Sequence, residues 1–330
     1  MKALVVSCSP PYYNLGANKL ADWLSIQGYQ VTYYDGDPGL FSYGYDLVAL
    51  SVIFSWDAPT ARDIAVRVKS NSDVWAGGPG LFALVAWWKR ETGLDCVRGL
   101  DPRFDHQRGV YQMTFASRGC PAGCSFCIVP RMEGKRFSLD WDFRPAPYLM
   151  DNNLSALPVE FQTHIVRRYM ETGVKLVDAQ EGFSPAHFDE ATYERWSPIL
   201  HRRAPWRLGF DTLSEADAVQ RMLHILRGVP AFRKRVYVLI GNEPVASCYE
   251  RIKMVIELGA EPHVQPLIGL ASLTKTPIVR HDWGSAQRLK DMARWANRKI
   301  WRSGVPLQEY RPRVSDNPPF QNKNEMKNLL

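Results

Sequence analysis

The chain has 330 residues, a formal net charge of +7 and a hydrophobic content of 45%. These values are typical of a folded protein of about two domains and argue against long disordered segments. No apolar run reaches the roughly 18 residues that span a bilayer, and the first residues enter a strand pattern directly, so we expect a cytoplasmic protein with no membrane partner.

The first 97 residues predict alternating strands and helices. Strands are expected at 2–7, 30–36, 45–54 and 72–78, and helices at 17–27, 58–70 and 81–93. This alternation predicts a Rossmann-like domain built on a parallel sheet. No G-x-G-x-x-G follows the first strand, which argues against a bound dinucleotide.

A polar, turn-rich linker is predicted at 98–110, and the alternation then resumes. Strands are expected at 111–117, 147–153, 175–182, 206–212, 233–242 and 263–269, and helices at 158–172, 186–202, 215–227, 245–258 and 285–302. The pattern gives six β/α units over 111–303, followed by a polar C-terminal tail at 304–330.

Three cysteines, Cys120, Cys124 and Cys127, lie within eight residues of a cysteine-poor chain. Their C-x3-C-x2-C spacing lets one loop turn three sulfurs toward one metal cluster, and Gly119 and Gly123 permit the tight backbone that this requires. Zinc would call for a fourth ligand and C-x2-C pairs, and a disulfide fits poorly with a reducing cytosol. The spacing therefore favours a 4Fe-4S cluster with one iron left open.

With Phe126 the loop reads C-x3-C-x-Φ-C, which resembles the cluster loop of the radical S-adenosylmethionine (SAM) enzymes. The resemblance implies a partial (β/α)6 TIM-like barrel over 111–303 and SAM bound to the open iron. It also implies reductive cleavage of SAM to a 5′-deoxyadenosyl radical, with electrons from an external donor such as flavodoxin or ferredoxin.

In such barrels the carboxyl ends of the strands carry the chemistry. The resemblance therefore implies cofactor contacts at Phe126, Asp151, Asn152, Asn153, Glu181, Asp211, Ile240, Gly241, Asn242 and Gln265. Simpler roles stay open, since Asp151 to Asn153 could cap a turn, Asp211 could cap a helix, and Gln265 could satisfy backbone groups. Arg118 and Lys135 beside the cysteines would tune a cluster's potential or lie in solvent.

The N-terminal domain resembles the cobalamin-binding domain that precedes the radical domain in many radical SAM enzymes. Ser51, Gly77 and Gly78 occupy positions where that family approaches the corrin and its nucleotide tail. The D-x-H-x-x-G element is missing, and residues 8–18 in its place contain no histidine. Cobalamin would then bind without an axial histidine from the protein. Alternatively, the domain is retained for packing and for binding the substrate.

The cluster loop is also similar to that of the tRNA methylthiotransferases, which share C-x2-C-x-V-P followed by glycine and basic residues. Those enzymes hold a second cluster on three N-terminal cysteines, where this chain offers Cys8. They also end in an RNA-binding β-barrel, for which too few residues follow Arg302. The sequence therefore indicates a single-cluster radical SAM enzyme that performs hydrogen abstraction or methyl transfer on an unidentified substrate.

The last predicted helix is amphipathic and basic. Its apolar face is expected to pack on the fold and consists of Leu289, Met292, Ala293, Ala296 and Ile300. Its polar side offers Arg288, Arg294, Arg298 and Arg302, with Trp295 and Trp301 available for stacking on RNA. A solvated charged face is the simpler interpretation. An RNA-modifying radical SAM enzyme, or a metal-stabilised nucleic-acid-binding protein without catalytic activity, are the alternatives that this helix supports.

Overall fold

The computed structural model describes residues 1–105, 107–200 and 204–312. It is a mixed α/β structure. The strands are β1 (Lys2–Ser7), β2 (Gln30–Asp35), β3 (Leu47–Ser51), β4 (Asp73–Gly77), β5 (Met113–Thr114), β6 (Ser117–Arg118), β7 (Ser138–Leu139), β8 (Tyr148–Leu149), β9 (Asp178–Ala179), β10 (Trp206–Phe210), β11 (Lys234–Ile240) and β12 (Glu261–Pro266). The helices are α1 (Leu15–Ile26), α2 (Ala58–Val68), α3 (Pro79–Phe82), α4 (Val85–Thr92), α5 (Pro102–Asp105), α6 (Val129–Met132), α7 (Val159–Thr172), α8 (Glu190–Trp196), α9 (Ala216–Ile225), α10 (Val245–Glu257) and α11 (Ala286–Asn297).

The chain divides into two compact units. The first contains Met1–Ala146 together with Leu270–Lys275. The second contains Pro147–Gly269 and the described residues that follow Lys275. The segment that carries the three cysteines therefore belongs to the first unit.

The first unit is organised by a parallel sheet in the order β2-β1-β3-β4. Successive side chains of a strand point to opposite faces of the sheet. Accordingly, Ala3 and Val5 of β1 pack with α1, whereas Leu4 and Val6 pack with α2 and α4. All four residues are at most 1% exposed. The central strand is thus apolar at every one of these positions because helices cover both of its faces.

The second unit is built from parallel strands that follow one another in chain order. β8 pairs with β9, Phe183 just beyond β9 bridges to Leu208 of β10, and β10, β11 and β12 form a continuous sheet. The helices α7 to α11 each follow one of these strands. This succession agrees with the predicted β/α units, and the barrel itself stays a prediction.

The two faces of β11 differ sharply in character. Val236, Val238 and Ile240 are fully buried, whereas the alternating residues Arg235, Tyr237 and Leu239 are half-buried. One face of the sheet is therefore apolar and packs against helices, while the other carries polar side chains.

Many predicted elements agree with the structure to within a few residues. Three are much shorter than predicted: among the described residues, the helix predicted at 186–202 forms only α8, and the strands predicted at 147–153 and 175–182 form only β8 and β9.

Two further predictions are wrong. The single helix predicted at 81–93 is wrong, because the chain forms α3 and α4 with Leu84 between them at a φ of −114° and a ψ of 12°, outside the helical region. The single strand predicted at 111–117 is also wrong, because β6 turns away from β5 to pair antiparallel with β7. The predicted linker contains the short helix α5.

Parts of three sequence predictions lie outside the described residues. They are His106 within the linker, the end of the helix predicted at 186–202, and the tail from residue 313 onward. Within the described part of the chain, no helix combines the length and the apolar character that crossing a bilayer requires.

Gly78 provides a test of the packing in the first unit. Its φ is +106°, and a Cβ atom there would lie 2.3 Å from the carbonyl oxygen of Val52. Gly28 has a φ of +86° and no atom within 4 Å of the same position, so it isolates the conformational effect. We expect Gly28→Ala to lower the free energy of unfolding by about 1–2 kcal/mol and Gly78→Ala to lower it clearly more, because the clash adds to the strain. Urea denaturation measures both, and equal losses would contradict the described packing.

Candidate functional site

The segment between β6 and β7, residues 119–137, carries the three cysteines and forms the cysteine loop. A short antiparallel ladder closes its base. Ser117 and Arg118 of β6 pair with Leu139 and Ser138 of β7. Gly119 follows at a φ of +85°, and a Cβ atom there would lie 2.2 Å from the carbonyl oxygen of Arg136. The two chain segments therefore pass so closely that only glycine fits at this position.

Arg118 clamps the base of the loop. Its guanidinium donates to Asp105 Oδ1 at 2.8 Å and to Glu133 Oε1 at 3.3 Å, and its Cζ atom lies 3.4 Å from the ring centroid of Phe115. Glu133 in turn accepts a hydrogen bond from the backbone N–H of Gly119 at 2.9 Å. Arg118 is therefore a mostly buried residue that holds the loop, whereas Lys135 is exposed.

The three cysteines lie along the loop above this base. Cys120 is buried, Cys124 and Cys127 are half-buried, and Phe126 between them is also half-buried. The backbone N–H of Cys127 donates to the carbonyl oxygen of Cys124 at 3.1 Å, which closes a tight turn. Among the described residues, no group of three or more histidine, cysteine, aspartate or glutamate side chains is positioned to hold a metal ion.

The donor set of the loop nevertheless suits an iron–sulfur cluster. Three thiols on one short loop are the ligand type and number that a site-differentiated 4Fe-4S cluster takes. Gly123, at a φ of +66°, supplies a turn between the first two cysteines. Sequence and backbone are therefore compatible with a cluster, and bringing the three sulfurs to one point would require the loop to rearrange above its clamped base.

The expected cofactor residues after β8 have different local roles. Asp151 is buried at 1% exposure and Asn152 is half-buried. The side chain of Asn153 accepts a hydrogen bond from the backbone N–H of Ala156 and so caps the short 3-10 turn that follows. The turn-capping role therefore applies to Asn153.

A buried polar network that the sequence did not predict lies on β9, β10 and β11. Arg207 Nε donates to Asp178 Oδ1 at 2.8 Å, Nη2 donates to the other carboxylate oxygen, and Nη1 donates to the Tyr237 hydroxyl at 2.7 Å. The ring of His263 on β12 packs edge-on against Tyr237, and burial, followed by the charges of nearby arginines, lowers the pKa of His263. Glu181 is exposed beyond β9, and its negative charge interacts with the guanidinium of Arg207.

A sequence signal for this network existed. Arg207 interrupts the apolar run of β10, and arginine and tyrosine alternate with valines in β11. Because alternate residues of a strand share a face, such interruptions indicate a polar face rather than a strand end.

Asp211 and Asn242 lie at the ends of neighbouring strands and are linked. Asn242 Nδ2 donates to the backbone oxygen of Asp211 at 2.6 Å. Glu215 accepts from the backbone N–H of Asp211 and forms a capping box with Thr212, so Thr212 rather than Asp211 caps the turn before α9. Burial, followed by the charge of Glu215, raises the pKa of the Asp211 carboxyl to about 6.

A fully buried arginine fixes the ends of β10 and β11. Arg251 donates to the backbone oxygens of Phe210 at 2.6 Å and Leu239 at 2.7 Å, and its Nε lies 3.0 Å from a carboxylate oxygen of Glu243. Glu243 also accepts from the backbone N–H of Leu213 at 3.1 Å. Glu243 and Arg251 therefore position the loops on which Asp211 and Asn242 lie.

The remaining expected contacts are backbone or surface positions. Ile240 is fully buried, and Gly241 has a φ of +93°, where a Cβ atom would lie 3.2 Å from Cδ2 of Leu289. Gln265 on β12 is exposed, and its register partner on β11 is Leu239. Gln265 is thus a strand-end side chain that faces solvent.

The residues expected to approach cobalamin make contacts within the first unit. Ser51 Oγ donates to Asn14 Oδ1 at 3.0 Å, and Asn14 Nδ2 donates back to the Ser51 carbonyl oxygen at 3.2 Å. The carbonyl oxygen of Val52 already fills the space beside Gly78. Burial raises the pKa of the Cys8 thiol, so it is a poor source of thiolate for cobalt. These residues do not fit a protein-ligated cobalamin.

The basic terminal helix matches the prediction on its apolar side, and Arg298 and Arg302 on its charged side are exposed. Leu289, Met292, Ala293 and Ala296 are buried as expected, and Ile300 is half-buried. Trp295 as a stacking residue is wrong, because it is 3% exposed and donates to the backbone oxygen of Val305 at 2.9 Å. Ion pairs offset part of the charge, since Arg294 lies 3.3 Å from Asp291 and Arg302 lies 2.8 Å from Glu261.

Comparison with known proteins gives no family assignment. No protein-family model and no curated protein matches the chain. Among solved structures, the chain is similar to the apo, selenomethionine-labelled cobalamin-dependent S-adenosylmethionine radical enzyme OxsB, with 14% identity and a TM-score of 0.39 over 92% of this chain and 56% of that chain. The chain therefore spans little more than half of the length of OxsB.

A second solved structure is similar over much of the chain. It is the apo form of the dinucleotide-forming acetyl-coenzyme A synthetase 1 of Ca. Korarchaeum cryptofilum, with 9% identity and a TM-score of 0.23 over 91% of this chain and 67% of that chain. TM-scores of this size establish neither a shared fold nor a shared activity.

The raised pKa of Asp211 predicts a pH-dependent stability. The folded-state pKa of about 6 lies above the ordinary value of 3.8, so between these values the folded chain keeps a proton that the unfolded chain has lost. The free energy of unfolding contributed by this group therefore falls as pH rises through that window. We expect Asp211→Asn to be more stable than the wild type at pH 7, with the difference shrinking toward pH 4. Thermal unfolding at both pH values, with the exposed Asp217→Asn as control, measures it, and a pH-independent difference would contradict the assignment.

Proposed function

We propose that the chain is a radical S-adenosylmethionine enzyme whose 4Fe-4S cluster is held by Cys120, Cys124 and Cys127. The observation that carries the proposal is the C-x3-C-x-Φ-C loop, with its three thiols and Phe126 in eight residues. The bound cluster would supply the electron that cleaves SAM reductively, after an external protein such as flavodoxin or ferredoxin has reduced it. The resemblance of the loop to that of the radical SAM enzymes supports this assignment.

The base of the loop supports the same proposal from the side of the protein. Arg118 and Gly119 at the start of the loop donate to Glu133 farther along it, and Arg118 also donates to Asp105 of α5; these hydrogen bonds do not involve the cysteines. A rigid base with its sulfur ligands above it suits a loop that wraps a cluster, since outer contacts orient metal ligands. In this proposal Arg118 positions the loop, and its charge is largely compensated by two carboxylates.

We further propose that strand-end residues of the second unit contact SAM. Asn153 and Asn242 use their side chains to fix local turns. The side chains proposed for direct contact are therefore Asp151, Asn152, Glu181, Asp211 and Gln265, with Ile240 and Gly241 contributing apolar surface and backbone. A carboxylate among them would bind the SAM ammonium through a charge-assisted hydrogen bond.

The reaction after radical formation is hydrogen abstraction or methyl transfer on a substrate that these residues do not identify. A cobalamin with a protein axial ligand is not part of the proposal, because Cys8 is buried and Ser51 and Gly78 make internal contacts. RNA is not proposed as substrate either, because Trp295 is buried and Arg294 and Arg302 are paired with carboxylates.

The cluster assignment is tested by anaerobic reconstitution with iron and sulfide. The wild type should bind about four irons per chain, and with SAM and a strong reductant it should form 5′-deoxyadenosine. A variant with alanine at Cys120, Cys124 and Cys127 should lose both the iron and the product, whereas Cys96→Ala should keep both. Iron that persists in the triple variant would refute the assignment, and iron without 5′-deoxyadenosine in the wild type would refute the SAM chemistry alone.

The SAM contact is tested at Asp151. Asp151→Asn keeps the shape of the side chain and removes its charge, so the SAM dissociation constant should rise about tenfold or more if the carboxylate binds the ammonium. Glu160→Asn is the control, because Glu160 is an exposed acid in the first turn of α7. Anaerobic equilibrium dialysis of the reconstituted protein gives both constants, and an unchanged constant for Asp151→Asn would transfer the contact to Asn152 or Glu181.

A further inference from the structure

A cavity of about 270 Å³ lies within the first unit, bounded by α1, the segment after residue 100 and the base of the cysteine loop. Ligand sites typically measure about 300–1,000 Å³, so this cavity has room for a small molecule only. Part of its wall is apolar and includes Leu100, Val110, Phe115, Phe143 and Pro145. Such a wall suits a compact hydrocarbon or aromatic group.

A buried amine also lines the cavity. Lys19 lies on α1 and is 9% exposed, although lysine is almost never this buried without a partner. Its ammonium donates to the backbone oxygen of Asp105 and lies 3.6 Å from the Asp105 carboxylate. Burial is the main cause of the lowered pKa of Lys19. The wall thus contains a desolvated cation that is anchored in place.

Positive charge exceeds negative charge in the wall. The charged wall residues are the cations Lys19, Arg108, Arg118 and Arg144 and the carboxylates Asp105, Glu133 and Asp140. Asp105 is shared by Lys19 and Arg118, and Asp140 pairs with Arg108 at 2.5 Å. In the described part of the chain Arg144 is exposed, contacts no carboxylate, and donates to the backbone oxygen of Arg108 at 3.3 Å. One guanidinium therefore remains for an external anion.

We propose that this cavity binds a small organic anion, with its carboxylate or phosphate group held by Arg144 and Lys19 and its apolar body against Phe115 and Phe143. The guanidinium of an arginine can bind either a carboxylate or a phosphate, and an apolar wall favours burial of the apolar part of the ligand. Arg118 and Glu133 belong both to the cavity wall and to the clamp of the cysteine loop. A ligand here therefore contacts the residues that hold that loop.

The test measures binding of defined probes to the full-length protein as purified, without added iron. Benzoate and phenyl phosphate carry the two candidate anionic groups, and benzyl alcohol is the neutral control. We expect at least one anion to bind about tenfold or more tightly than benzyl alcohol, by ligand-observed NMR titration. The preference between the two anions identifies the oxyanion.

Variants then locate the site. Arg144→Gln and Lys19→Met should each weaken binding of the anion about tenfold or more, because each removes a charged partner. Arg62→Gln on α2, outside the cavity wall, should leave binding unchanged. Arg144 is exposed, so Arg144→Gln decides the result if Lys19→Met fails to fold. Equal binding of benzyl alcohol, absence of binding by both anions, or full binding by Arg144→Gln would each overturn the proposal. None of these outcomes depends on the cluster, so they are independent of the proposed radical chemistry.

Discussion

In the first unit, helices cover both faces of the central parallel strand, and this burial decides where polar side chains can lie. In the first unit, Ala3 to Val6 of β1 are buried on both faces between α1 on one side and α2 and α4 on the other. Such a strand has no room for a polar side chain along its length. Polar groups therefore collect at the carboxyl ends of the strands, as Asn14 and Ser51 do in this unit.

The second unit departs from this constraint on one face of its sheet. Arg207, Tyr237 and Asp178 form a hydrogen-bonded group on neighbouring strands rather than at their ends. The opposite face of β11 keeps Val236 and Val238 fully buried. A polar face within a parallel sheet has to satisfy its own hydrogen bonds, and the fork of Arg207 does so with two partners.

Buried guanidinium groups fix the geometry of the candidate site. Arg251 joins the ends of β10 and β11 through two backbone oxygens and Glu243. Arg118 joins the start of the cysteine loop to Glu133 within the loop and to Asp105 of α5. Removing one partner from a buried pair of this kind costs about 3–5 kcal/mol, because the other charge is left without compensation. These two guanidinium groups also have a geometric effect, because each one holds together segments that lie apart in the chain. In the cysteine loop this fixes the base and leaves the arrangement of the sulfurs to the metal that the proposed function requires.

The sequence by itself determined the order of most elements and the donor set of the cysteine loop. Alternation in β11 and the 3.6-residue repeat of Leu289, Met292 and Ala296 in α11 are local patterns, and they place strands and helices correctly because side-chain direction repeats with the backbone. The spacing of Cys120, Cys124 and Cys127 is likewise a property of the chain alone.

Only the tertiary structure decided which groups meet. Asp178 and Arg207 are 29 residues apart, and no local pattern says that their strands are neighbours. Local patterns also do not show that the indole N–H of Trp295 donates to Val305 instead of facing solvent, or that Glu243 pairs with Arg251. Partner choice and burial depend on which elements pack side by side and on how far each side chain reaches. Those distances exist only in the folded chain.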